Sequence, residues 1–184
     1  AKIEPKIVER EENRVDLIFE ITEGKPTRIN KIIFVGNNQF SAGRLESIIM
    51  TKESRWYRFF STDDTYDPHR LSFDKELLRR YYREQGYADF KVDSVVAELD
   101  PDDQEFYITY TLDEGPRYRF GDVRVTVELP KLPSGCVAGC VAIEKGEWFN
   151  SKEVEKTIEK LTNSIGEQGF AFVEIDPQFK RNPE

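Results

Sequence analysis

One short word occurs twice in this chain, and it constrains the fold more than any other feature. Glu84-Gln85-Gly86-Tyr87-Ala88 returns as Glu167-Gln168-Gly169-Phe170-Ala171. In each copy a helix-patterned segment runs up to the glycine. Glycine takes the left-handed position after a helix without a Cβ clash. After the first copy an extended run carries Val92, Val95, Ala97 and Leu99, and a turn follows at Asp100-Pro101-Asp102-Asp103. A second run then alternates Phe106, Ile108, Tyr110 and Leu112 with Tyr107, Thr109 and Thr111. That is the period of a half-buried strand. The unit is a helix feeding a β-hairpin, and it closes on Asp113-Glu114-Gly115. Thr22-Glu23-Gly24 repeats the closing word near the start of the chain. A repeat of roughly 80 to 90 residues is longer than most solenoid units, so each copy is expected to own a core.

Three segments follow. Residues 1–27 read as the C-terminal hairpin of a preceding unit. Ile3, Ile7 and Val8 lie on its first strand, which Pro5 marks as an edge because proline cannot donate to a ladder. Residues 28–117 are a complete unit. Ile32 and Phe34 start a strand, and Ser41 is placed to cap a short helix. Phe40 and Leu45 sit where a hydrophobic staple would need them, and Leu45, Ile48 and Ile49 form the helix's apolar face. A second helix is predicted from about Pro68 to Gln85, with Leu71, Leu78, Tyr81 and Tyr82 on one side. Residues 118–184 are a partial unit lacking its last strand. Val123, Val125 and Val127 would be its first strand, Cys136 to Ile143 a short helix, and Phe170 to Phe179 a hairpin strand. Asn150 with Glu153 resembles a capping box before a helix carrying Val154, Ile158, Leu161 and Ile165. The expected fold is α+β: tandem β-α-α-β-β domains, each a three-stranded mixed sheet covered on one face by two helices. The open sheet of the last unit would have to pair elsewhere. Strand exchange, with the hairpin of a neighbouring chain filling the gap, is one route.

Charged residues make up 34% of the 184 and the net charge is −8, so polyanion binding gets no electrostatic help and no nucleic-acid partner is expected. No apolar run reaches the ~20 residues of a membrane helix. Ala1 opens into a strand-like segment without a signal-peptide pattern, as in a mature or excised fragment.

Catalytic chemistry finds little footing. The one histidine, His69, stands beside Pro68 at a helix start, with no nucleophile near it in sequence. Asp63, Thr65, Asp67 and Asp74 faintly echo a calcium loop, but Pro68 stands where that loop needs glycine. Cys136 and Cys140, four apart, are either two buried thiols or a disulfide; zinc would need further ligands. No catalytic residue, metal site or cofactor is expected, and the chain does not read as an enzyme.

Surfaces remain. Between the two helices, Trp56, Tyr57, Phe59 and Phe60 either cap the core or form an exposed aromatic patch. The first hairpin strand of the complete unit should be a sheet edge, because the second is expected to pair on both sides. That edge is Phe90, Lys91, Val92, Asp93, Ser94, Val95, Val96, Ala97, Glu98 and Leu99. An open edge accepts an extended peptide, unless Lys91 and Asp93 serve only to guard it.

Four motifs in order now carry a resemblance: the β-α-α-β-β pattern, Gly36-Asn37-Asn38-Gln39-Phe40-Ser41, Arg79 to Ala88, and Asp113-Glu114-Gly115-Pro116. Together they resemble POTRA domains of the Omp85 superfamily. The Trp-containing insert resembles the third POTRA domain of the outer-membrane protein assembly members. The chain would then hold the tail of a second, all of a third and most of a fourth domain. The resemblance implies periplasmic exposure beneath the cell outer membrane and a C-terminal membrane β-barrel in the full-length protein. It also implies assembly lipoproteins and unfolded outer-membrane proteins as partners, with residues 90–99 as the β-augmentation edge. A related translocation or secretion transporter, or a passive spacer between a barrel and its partners, stays open.

Overall fold

The computed structural model describes residues 2–10, 14–22, 27–55, 63–127, 137, 139–170 and 172–182. The chain opens with a hairpin, β1 (Lys2–Arg10) antiparallel to β2 (Arg14–Thr22). Pro5 lies on β1, paired on one side only. Every residue of β2 is exposed, including Leu17, Phe19 and Ile21. The described residues offer this hairpin no cover.

The complete unit contains β3 (Ile29–Val35), α1 (Ala42–Ile48), α2 (Pro68–Glu84), β4 (Lys91–Leu99) and β5 (Phe106–Asp113). Its sheet order is β3-β5-β4, with β3 parallel and β4 antiparallel to β5. The central strand is thus the last in sequence. The helices lie on one face, where Leu45, Ile49, Leu71, Leu78 and Tyr82 meet Ile32, Phe34, Ile108, Tyr110 and Leu112 in one buried cluster. Burying side chains of this size is worth about 1.5–3 kcal/mol each, which makes this cluster the main support of the unit.

Local rules explain the element ends. The Ser41 hydroxyl accepts from the Arg44 N–H at 3.3 Å and caps α1, with Phe40 packed against the core. Asp67 caps α2, accepting from the His69 N–H at 2.8 Å, and Pro68 sits in the first turn, where a missing N–H costs nothing. The helix stops at Gly86, whose φ is +104°. The turn after β4 is one residue longer than Asp100 to Asp103. Gln104 adopts φ +55°, its N–H donating to the Asp100 carbonyl at 2.9 Å.

Two buried carboxylates tie the layers together. Asp74 on α2 accepts from the Met50 and Thr51 N–H groups and from the Tyr110 hydroxyl, at 2.6, 3.2 and 3.2 Å. Glu114 accepts from the Asn38 and Gln39 N–H groups at 3.0 and 3.1 Å and from the Tyr82 hydroxyl at 2.8 Å. Burial, reinforced by these carboxylates, pushes both tyrosine hydroxyls far above their usual range, so both remain donors.

The last unit departs from expectation. Its helix α3 (Ser151–Glu167) forms as the periodicity predicts, burying Leu161 and Ile165. The capping box does not close: Asn150 accepts from Lys152, while the Glu153 carboxylate turns to the Lys156 ammonium at 2.8 Å. Residues 121–127 and 172–182 form no ladder, and Val123, Val125 and Val127 are each 42% exposed. The reason is visible in the complete unit. There the first strand and the first hairpin strand pair only with the central strand, never with each other. Among the described residues no segment of the last unit takes the central place that β5 holds, so the flanking segments stand without that partner. Of the predicted helix from Cys136 to Ile143, residues 139–143 are not helical, and Cys136 lies outside the described residues.

Candidate docking edge

The sheet has two margins, and they differ. The segment between the helices covers the start of β3. The Ile29 N–H donates to the Asp64 carbonyl at 2.8 Å, and the Ser54 N–H donates to the Ile29 carbonyl at 2.7 Å. The Ile32 N–H donates to the Glu53 carboxylate at 3.0 Å, and Arg28 bridges Thr65. Along β4, by contrast, no segment among the described residues hydrogen-bonds to the outer side. An uncovered strand margin presents unpaired N–H and C=O groups to any extended chain that arrives.

Each residue of the predicted edge now has a place. Val92, Val95 and Ala97 face the core and pack against it. Ser94, Val96 and Glu98 are exposed on the other face, and Leu99 ends the strand 51% exposed. Phe90 is a correction. It precedes the strand, is 4% exposed, and stacks on Tyr82 with centroids 3.9 Å apart, so a helix-side aromatic claims it and it offers nothing at the edge.

The β4–β5 register shifts between Val92 and Ser94, leaving Asp93 as the extra residue of a bulge. Beside it the Lys91 ammonium lies 3.1 Å from Asp113 and 3.7 Å from Asp93. Its hydrogen bond to Asp113 raises the Lys91 pKa, and the same bond lowers that of Asp113.

Trp56, Tyr57, Phe59 and Phe60 lie outside the described residues. So does Cys136, half of the predicted cysteine pair; the Cys140 thiol lies 3.8 Å from the Lys160 carbonyl. His69 enters the capped turn of α2 through its backbone. Asp67 and Asp74, placed in one faint calcium pattern by sequence, serve different ends: one caps a helix and the other anchors Met50, Thr51 and Tyr110. Among the described residues no cluster of three or more histidine, cysteine or carboxylate side chains is arranged to hold a metal.

Sequence reasoning did not foresee the side chains that hold the joint to the last unit. Trp148 lies under two guanidinium groups, Arg117 at 3.9 Å and Arg119 at 3.6 Å from its centroid. The Tyr118 N–H donates to the Gly86 carbonyl at 2.9 Å, and the Phe149 N–H to the Tyr118 carbonyl at 3.0 Å. Asp89 accepts from the Tyr118 hydroxyl at 2.6 Å and pairs with Arg181 at 2.8 Å. The alternation of Arg117 and Arg119 around Tyr118 was the available signal.

The family model for the POTRA domain, described as a surface antigen variable number repeat, matches residues 27–115 and 118–184. The chain belongs to the POTRA family. Relatives of this POTRA chain include the outer membrane protein assembly factor BamA of Neorickettsia risticii, 32% identical over 95% of the chain. BamA of Neisseria meningitidis serogroup B is 26% identical over 183 residues, the whole of this chain. The POTRA chain spans 23% of the length of each. Its fold matches the crystal structure of Haemophilus influenzae BamA POTRA3-5 with a TM-score of 0.58 at 20% identity, over 98% of this chain and 68% of that one. The α+β architecture of mixed sheets under helices is that of POTRA structures. No helix among the described residues is long and apolar enough to cross a membrane.

Proposed function

We propose that this POTRA chain is a periplasmic protein-binding scaffold of outer-membrane protein assembly, and that β4 is its working edge. Its partners would be assembly lipoproteins and unfolded outer-membrane proteins, and in the full-length protein a C-terminal β-barrel would anchor it to the outer membrane. The observation that carries this reading is the asymmetry of the sheet: the start of β3 is covered and β4 is open. The relatives' names supply the setting. Catalysis has no part in the proposal. Residues 1–27 would close a preceding POTRA unit, which would account for the uncovered apolar side chains of β2.

A passive spacer is the second reading, and the stacked, hydrogen-bonded joint around Trp148 favours it. Titrating peptides from outer-membrane proteins into isotope-labelled protein separates the two. Amide shifts concentrated on β4 support the scaffold. A β4 that stays silent at saturating peptide leaves the spacer.

A further inference from the structure

The open edge is shorter than strand β4. We propose that the Asp93 bulge closes it at its beginning, so that an incoming strand pairs along Ser94 to Leu99 and stops there. This rests on the β-augmentation reading above and specifies its register. The occupant is an extended polypeptide segment, recognised by main-chain hydrogen bonds, with β-branched or aromatic side chains beside Val96.

Three observations set the limit. First, the β4–β5 ladder is regular from Ser94 to Leu99 and breaks between Val92 and Ser94. A bulge bends its strand and sharpens the local twist, so outward groups before it leave the line of those after it. Second, Lys91 is held by Asp113 and Asp93, which places a charged cluster where a longer strand would continue. Third, the chain before Lys91 turns inward: Phe90 is buried and Asp89 is engaged by Tyr118 and Arg181. At the other end Leu99 runs into the Asp100 turn. The remaining ladder of six residues matches the ordinary length of about five to six for a strand.

The bulge can be removed without turning the strand over. Val92 faces the core, and so does Val95. Deleting Asp93 puts one residue between them and preserves the in-out alternation. The test is amide hydrogen exchange on the whole chain, with and without a synthetic peptide of alternating valine and threonine flanked by lysines. The lysines suit a protein of net charge −8. In the unaltered protein, added peptide should slow exchange at alternate amides within Ser94 to Leu99 and leave Lys91 to Asp93 unchanged. In the Asp93 deletion the slowed region should advance to Lys91. Protection that already reaches Lys91 in the unaltered protein overturns the stop while sparing augmentation, and this arm needs no variant to fold. A deletion whose protected region does not advance removes the bulge as the cause. Peptide that slows no amide of β4 removes augmentation and the register together.

Discussion

At the scale of single residues, Gly36 and Glu114 join the turn after β3 to the end of β5. Gly36 has φ +89°, and a Cβ there would lie 2.2 Å from the Leu112 carbonyl oxygen. Replacing it by alanine adds backbone strain to a main-chain clash that no rotamer relieves. We expect Gly36→Ala to cost about 3 kcal/mol or more, read as a lowered urea midpoint. Glu114→Ala leaves the Asn38 and Gln39 N–H groups and the Tyr82 hydroxyl without their acceptor, at about 2–3 kcal/mol. Tyr82→Phe removes one of those bonds alone and should cost about 1 kcal/mol. Equal losses for the two variants would mean that the carboxylate's backbone bonds contribute nothing.

At the scale of elements, the pair at the head of β4 gives a pH prediction. Asp113 has a lowered pKa, so its contribution is present above the ordinary carboxylate range and is lost as pH falls through the depressed value. Lys91 has a raised pKa, so its contribution is lost only as pH rises through the elevated value. The pair therefore holds across neutral pH and opens at both extremes. A carboxyl carbon titration of Asp113 should show a midpoint below the usual ~3.9, and Lys91→Ala should return it toward that value. An Asp113 midpoint indifferent to that substitution would count against the pairing.

The same strand shows what could be read from sequence. The alternation of Phe106 to Leu112 carried β5 correctly because a strand paired on both sides and packed on one face writes its burial directly into its residues. The bulge is also written in the sequence, in the spacing of three from Val92 to Val95 where a plain strand has two. Phe90 misled because an aromatic just before a strand looks the same whether it pairs or packs. The valines at 123, 125 and 127 misled more deeply. Their alternation specifies a strand, but no pattern within a strand supplies the neighbour it needs. In the sequence Glu114 stands out only as part of a repeated word; its buried role depends on Asn38, Gln39 and Tyr82, which only the fold brings to it.

At the scale of the whole molecule, the joint decides whether the two units move together. Each cation–π contact at so exposed a site contributes only about 0.5–1 kcal/mol, but both converge on Trp148. Trp148→Ala should therefore leave unfolding of the complete unit within ~1 kcal/mol of the parent. It should, however, give the two units separate alignment tensors in residual dipolar coupling measurements. A single shared tensor in the variant would show that the backbone bonds around Tyr118 suffice.

The central claim concerns the outer margin of β4, and one measurement reaches it without inference through affinity. Isotope-filtered NOE spectra, taken with labelled protein and an unlabelled peptide from an outer-membrane protein, report which backbone atoms lie side by side. The account predicts main-chain contacts between the peptide and β4, with none from β3. Contacts that fall instead on β3, or on the exposed face of α2, would contradict it.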